Sequence, residues 1–469
     1  MSSAQELALR CVFPGFQGTT APDWVLRAAK RGLGGVVLFA RNVEDGAQLR
    51  RLVDSLHEAR AGLLVAIDEE GGDVTRLEAR TGSSYPGNLA LGAAADPALT
   101  EAVARAIGGD LAARGIDVDL APVADVNTDP RNPVIGVRSF GPDPVQVASQ
   151  TAAWVKGLQS TGVAACAKHF PGHGATSADS HLEVPVGESE VRPFEAAIAE
   201  GVRAVMSAHI VVPGIGDAPA TINPSVMTGL LRGRLGFDGL AISDGLDMRG
   251  ISGGRGIVSA AVLALRAGCD ALCVGGGPTG PEALDEIVEA LVAGVDGSRL
   301  AEAAGRVDAL AAWRAARISD GPDHPRNSGA EMPVGRDHPG IGLVAARRAL
   351  RVFGDVHVRD HAVVMRFDSA PSIAAGDMPW GMAAALAWRG VEVSEGAELP
   401  GASLVLVVRD LHRHAGERSK VEALLERRPD AVVVEMGVPL CRPRGATSYL
   451  VTNGAARVCA DAAAEVMRP

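Results

Sequence analysis

The sequence predicts an α/β fold: a (β/α)8 barrel of the TIM type followed by a smaller three-layer α/β domain. Three observations predict it. Eight short, β-rich apolar runs recur through residues 8–277. Ala-, Leu- and Arg-rich stretches of helical periodicity lie between them. Ionisable residues gather at the C-terminal ends of four of the eight runs, as Asp68-Glu69-Glu70, Lys168-His169, His209 and Asp244. Runs that are apolar on both faces suit a parallel sheet covered by helices, and eight of them alternating with helices suit a closed barrel. An open doubly wound sheet is the alternative.

The runs are 8–16, 34–40, 63–70, 116–123, 163–170, 204–212, 239–245 and 269–277. Residues 97–115 and 193–204 read as helices, the first stopping at Arg114-Gly115. GGGPTG at 275–280 lacks the Lys-Ser/Thr of a phosphate loop and reads as the loop after the eighth strand. Residues 318–340 are rich in Pro, Gly, Asp and Asn without periodicity, which predicts a linker between a barrel at 1–317 and a second domain at 341–469. In that domain 342–353, 381–390 and 421–428 read as helix-like, and 362–369, 403–411, 430–439 and 448–454 as strands.

At 469 residues, with 47% hydrophobic and 22% charged side chains, the chain is globular and disorder as its main state is excluded. Aromatics are 3%, so Ala, Val, Leu and Ile must build the core. A net charge of -11 weighs against a nucleic-acid partner. Six scattered cysteines form no CxxC pair, which disfavours a disulfide framework or a zinc site. Residues 1–10 have no basic region leading into an apolar stretch, and no run reaches membrane-spanning length. The expectation is a cytoplasmic protein without a membrane partner.

Four stretches carry chemistry. Lys168-His169-Phe170-Pro171-Gly172-His173-Gly174 is a loop of imposed shape, followed by Asp179-Ser180-His181, where a carboxylate within reach of an imidazole suits a general acid–base. In Ser243-Asp244-Gly245-Leu246-Asp247, Asp244 closes a buried strand and is expected to face the barrel mouth, where a carboxylate can attack an anomeric carbon or stabilise its positive charge; Asp247 competes for that role. In the stretch from Ile67 to Leu77, Asp68 is suited to accept hydrogen bonds from a polyol and Arg76 to hold a hydroxyl in a planar fork. The stretch from Asn132 to Gly141 presents Arg138 on a long loop after the fourth strand. The histidines lack HExxH spacing, so no metal is expected, nor any other cofactor.

With IDEEGGDVTRL, APVADVNTDPRNPVIGVRSFG, KHFPGHG with DSH, and GFDGLAISDGLDM in this order, residues 1 to about 315 resemble the catalytic barrel of glycoside hydrolase family 3, in its β-N-acetylglucosaminidase (NagZ-like) branch. Residues 340–469 resemble, more weakly, the second domain of some members. The resemblance implies a retaining, two-step hydrolysis with Asp244 as nucleophile, His181 as acid–base and Asp179 as its partner. It places sugar-hydroxyl contacts on Asp68, Arg76, Arg138, Lys168 and His169. A histidine in place of the second carboxylate keeps two like charges from crowding one pocket. Glu69 stands where many relatives carry Gln, and Gly245 and Asp247 where relatives often show Asp and Ser; Gly245 is expected to relax the loop beside Asp244.

The expected activity is exo-acting removal of terminal β-linked GlcNAc from peptidoglycan-derived fragments or chitooligosaccharides, with a small saccharide as the partner. Two other readings stand beside it. One is a GlcNAc or glucoside phosphorylase, with Arg76, Arg138 and Lys168 as the basic set. The other is a catalytically inactive sugar-binding barrel, which the joint presence of Asp244, Asp179 and His181 disfavours. The sequence leaves the oligomeric state open.

Overall fold

Eight short apolar strands form the first half of the chain: β1 (Val12–Pro14), β2 (Gly35–Leu38), β3 (Leu64–Ile67), β4 (Val118–Asp119), β5 (Ala164–Phe170), β6 (Ala204–Ser207), β7 (Leu240–Ile242) and β8 (Leu272–Val274). The structure is a computed structural model and describes residues 2–177, 184–248, 251, 256–275, 280–319, 340–367, 376, 378–396 and 401–469. Strands β2 to β7 pair in parallel in chain order. The sheet curls until β8 pairs with β1, while a parallel bridge from Ile242 to Ala271 ties β7 to β8. Beside β2, Gly34 N–H donates to Leu9 O at 3.3 Å. A Cβ on Gly34 would lie 1.8 Å from Arg10 O, and one on Gly35 2.3 Å from the Phe13 ring. Only glycine permits β1 to lie this close to β2, and so the barrel closes.

The period of two along each strand sorts the core into two shells. Phe13, Val37, Leu64, Ala66, Cys166, Met206, Leu240 and Cys273 fill the barrel interior. Val36, Leu38, Val65, Ile67, Ala165, Val205 and Leu272 pack outward against the helices. The helices Pro97–Ala113 and Pro144–Gln159 lie close together because a Cβ on Gly157 would come within 2.2 Å of Glu101 O, so glycine leaves the room they need. The Gly297–Ser319 helix caps the N-terminal end of the barrel. Its Val307 and Leu310 enter the interior shell, its Arg314 pairs with Asp117 before β4, and its Arg299 and Arg306 pair with Asp270 before β8. With that end plugged, chemistry is left to the opposite, C-terminal rim.

The second domain is a six-stranded sheet of β9 (Arg351–Phe353), β10 (His361–Arg366), β11 (Glu392–Glu395), β12 (Ser403–Val408), β13 (Val432–Glu435) and β14 (Ser448–Val451), ordered β11-β10-β12-β13-β14-β9. Only β9 runs antiparallel to its neighbour. Along β12, Leu404, Leu406 and Val408 face the Ala415–Arg427 helix, and Val405 and Val407 face the Arg457–Met467 side, which makes three layers.

Two strands of this domain depart from expectation. Arg351-Val352-Phe353, read as the tail of a helix, leaves it at Leu350 and pairs with β14. Its β-branched and aromatic residues gain a ladder there that the helix would deny them. Strand β11 has no apolar run to announce it: Glu392 and Glu395 are exposed at the sheet edge, where charge blocks further pairing. The Gly297–Ser319 helix also runs two residues into the expected linker, whose remainder, 320–339, lies outside the described residues. All six cysteines are free, and among the described residues no helix is long and apolar enough to cross a membrane.

Candidate active site

Strands β3 and β5 end on either side of β4 at the rim and deliver opposite charges to each other. Lys168, buried at the end of β5, points its Nζ at Asp68 Oδ1 and Glu70 Oε1, each at 2.7 Å. Glu70 is gripped again by Arg138, whose Nε and Nη2 donate to its two oxygens at 2.9 and 2.7 Å. Arg76 reaches Asp68 Oδ2 at 3.6 Å. Burial alone would raise the carboxyl groups, but Lys168 and Arg76 hold Asp68 below its ordinary range, and Arg138 and Lys168 hold Glu70 well below. Burial would likewise lower Lys168, and Asp68 and Glu70 overcome it and raise its pKa. Asp68, Glu70 and Lys168 therefore stay charged and, with Arg138, form a rigid set of donors and acceptors suited to hydroxyl groups.

The loop after β3 is folded under this cluster. Glu69 turns away from the mouth, and its Oε2 accepts the backbone N–H groups of Arg76 and Leu77 at 2.8 and 2.9 Å. Burial pushes its carboxyl up to about 7. Below it, Asp119 accepts the Glu69 N–H at 2.9 Å and is itself raised well above its ordinary value by burial. The turn at 70–74 is tight, with Gly72 at φ +63°, where a Cβ would lie 2.4 Å from Gly87 Cα.

Asp125, after β4, organises the next loop. Its Oδ2 accepts from His169 Nδ1 at 2.7 Å, and its Oδ1 accepts the backbone N–H groups of His169 and His173 at 3.2 and 2.7 Å. Burial opposes its charge, yet His169 and these hydrogen bonds hold Asp125 below the ordinary carboxylate range. His169 is thereby fixed in orientation, with Nε2 as its remaining polar atom. Burial lowers His173 to about 4, so its ring is neutral, and Thr176 Oγ1 lies 2.9 Å from its Nδ1.

Asp244 stands partly exposed two residues beyond β7. Its charge acts on Cys166 and Cys273 in the barrel interior and on His173, which places it over the same mouth. The loop beside it is tied rather than relaxed. Gly245 N–H donates to Asp244 Oδ1 at 2.8 Å, and Gly245 O accepts from His209 Nε2 at 2.9 Å. A carbonyl only accepts, so Nε2 carries the hydrogen. Asp247 is also partly exposed. Arg41, after β2, lies within the electrostatic reach of Asp247 and Arg76 and donates to Gly275 O at 2.6 Å. Asp179 and His181 lie outside the described residues. Among the described residues, no group of three or more His, Cys, Asp or Glu side chains is arranged to hold a metal.

Residues 19–310 match the model of the glycosyl hydrolase family 3 N-terminal domain. The chain belongs to glycosyl hydrolase family 3. Within it the chain falls in the β-hexosaminidase branch. It is 39% identical over 274 residues to a Beta-hexosaminidase of Bordetella avium, covering 55% of this chain and 77% of that one. It is 37% identical over 283 residues to Beta-hexosaminidase A of Pseudoalteromonas piscicida, covering 54% of this chain and 47% of that longer protein. A family 3 β-N-acetylglucosaminidase from Paenibacillus sp. str. FPU-7 superposes over 100% of this chain and 97% of its own, with a TM-score of 0.86 at 29% identity. The Beta-glucoside phosphorylase BglX, at 19% identity and a TM-score of 0.80, shares the fold over 100% of this chain and 92% of its own.

In this family 3 hydrolase the structure brings Asp68, Arg76, Arg138, Lys168 and His169 to one rim with Asp244. Sequence reasoning missed Glu70, which ties Lys168 to Arg138, although it lies in the quoted IDEEGG run. It also missed Asp125, His209 as a prop of the Asp244 loop, and Arg41. Asp125 and Arg41 each follow a strand, and strand-end position was the signal that could have found them.

Proposed function

We propose that the protein is a retaining, exo-acting β-N-acetylglucosaminidase that hydrolyses terminal β-linked GlcNAc from peptidoglycan-derived fragments or chitooligosaccharides. Asp244 attacks the anomeric carbon while His181, oriented by Asp179, protonates the departing glycosidic oxygen. His181 then takes a proton from water, which attacks the same carbon and releases Asp244 with two inversions and net retention. Asp68, Arg76, Arg138, Lys168 and His169 hold the hydroxyls of the terminal sugar. Its natural setting, on this reading, is the cytoplasmic recycling of imported fragments.

The observation that carries the proposal is the rim cluster itself. Lys168 bridges Asp68 and Glu70 at 2.7 Å, and the partly exposed Asp244 acts on the same interior Cys166 as Lys168 and Asp68, which supports candidate hydroxyl-binding groups and a candidate nucleophile at one mouth. The β-hexosaminidase names of the relatives support an N-acetylhexosamine in the first subsite. Phosphorolysis is less well supported, because Lys168 and Arg138 already face carboxylates and offer a phosphate little uncompensated charge.

A panel of aryl β-glycosides differing only at C2, run with and without phosphate, tests the reading. Preference for the 2-acetamido substrate by about a hundredfold or more, with free GlcNAc as product in both buffers, is expected. A sugar 1-phosphate, or equal turnover of the glucoside, would replace it.

A further inference from the structure

Among the contacts of the second domain with the active-site rim, one short segment, the five residues after β12, touches two barrel loops. Arg409, only 16% exposed, pairs with Asp73, 3% exposed at the tip of the tight turn after β3. The other oxygen of Asp73 accepts the backbone N–H of Ala455 at 3.0 Å, so both belong to the second domain. Asp73 lies three residues from Glu70 on one side and three from Arg76 on the other. Two and three residues beyond Asp410, the same segment touches the loop after β4. His412 Nε2 donates to Pro130 O at 2.8 Å, and Arg413 Nη1 donates to Asn132 O at 3.3 Å.

Asn132 passes that contact inward. Its Oδ1 accepts from Val134 and Ile135 N–H at 2.9 and 2.8 Å, forming the turn from which Arg138 projects, and its Nδ2 donates to His173 O at 2.9 Å. The segment is itself anchored. Asp410 adopts φ +51°, its N–H donates to Glu435 Oε1 at 3.0 Å, and its Oδ1 accepts from Val438 N–H at 2.7 Å. Glu435 is wholly buried and accepts a second N–H, that of Gly437, at 2.8 Å. The Glu435 carboxyl, held by N–H groups just beyond β12 and β13, thus fixes a clip that grips two barrel loops. His412 and Arg413 also wall an interdomain cleft of about 870 Å³.

We propose that Arg409–Arg413 is a bridge by which the second domain sets the spacing between the β3 loop, which carries Asp68 and Arg76, and the β4 loop, which carries Arg138. Arg409 and Arg413 are then positioning residues for the sugar. They act through Asp73 and Asn132 and touch no substrate. The claim that this spacing governs sugar affinity rests on the function proposed above; the mechanical coupling does not.

The test compares Arg409→Ala, Arg409→Lys and the double variant His412→Ala/Arg413→Ala with Arg348→Ala, in the full-length protein. Arg348 pairs with Asp96 across the same domain interface but away from both loops, so it controls for loosened docking. On whichever aryl glycoside the wild type hydrolyses, Arg409→Ala and the double variant should raise KM about tenfold and change kcat by less than about threefold. Arg409→Lys should recover most of the loss, and Arg348→Ala should match wild type. Hydrogen exchange supplies the readout that needs no substrate: the amides of Arg76 and Leu77 should exchange faster in Arg409→Ala and not in Arg348→Ala. Unchanged KM with unchanged exchange, or equal effects in Arg348→Ala, would overturn the bridge. A wild type inert on every glycoside would instead remove the proposed function and leave exchange to decide the bridge.

Discussion

Glu69 shows how one side chain couples protonation to loop shape. It is buried, points away from solvent and accepts two backbone N–H groups that a Gln carbonyl would accept equally well. Its carboxyl is raised from the ordinary 4.5 to about 7, so between these values the folded protein binds more protons than the unfolded chain. Its contribution is therefore fully present below about pH 4.5 and is lost as pH rises through 7. Glu69→Gln should remove that loss: in urea titrations the variant should gain on wild type between pH 5 and pH 8, by about 1 kcal/mol or more. Parallel pH profiles would contradict the assignment. The motif around Glu69 was legible because strand-end charges are visible in sequence. Its direction was not, because nothing in IDEEGG tells which of two adjacent carboxylates turns inward.

At the scale of elements, the loops after β3, β4 and β5 are held to one another by charge. Lys168 is the common member, 2% exposed between two carboxylates that burial would otherwise neutralise. Lys168→Met should leave Asp68 and Glu70 short of their shared cation and destabilise the fold by about 3 kcal/mol, measured by urea unfolding. A loss under about 1 kcal/mol would mean that Arg76 and Arg138 suffice. Most barrel strands were legible because they are apolar on both faces. Strand β11 was not, because an edge strand with Glu at both ends has no such signature. The pairing of Lys168 with Glu70 was also hidden, since it joins residues far apart in the chain.

For the whole molecule, the barrel plug and the domain interface divide the work. One end of the barrel is closed by Val307, Leu310 and three arginines of a single helix, and the other is braced by the second domain. Because Asp73 is buried only where the domains meet, and Arg457 reaches back to Glu78 and Ser84, unfolding of either domain exposes charges of the other. Calorimetry should therefore record one transition, and Arg409→Ala should split or broaden it; two well-separated transitions in wild type would show that the domains unfold independently. The alternation of strands and helices made both domains legible, whereas the contact between them depends on single side chains such as Arg409, which in sequence reads as the end of an apolar run.

On the proposed mechanism Asp244 bonds to the sugar. A 5-fluoro-β-GlcNAc fluoride, which slows breakdown of a glycosyl–enzyme more than its formation, tests this claim most directly when followed by peptide mass spectrometry. One sugar per chain on Asp244, absent from Asp244→Asn, is expected. A label on Asp247, or catalytic turnover that persists in Asp244→Asn, would contradict it.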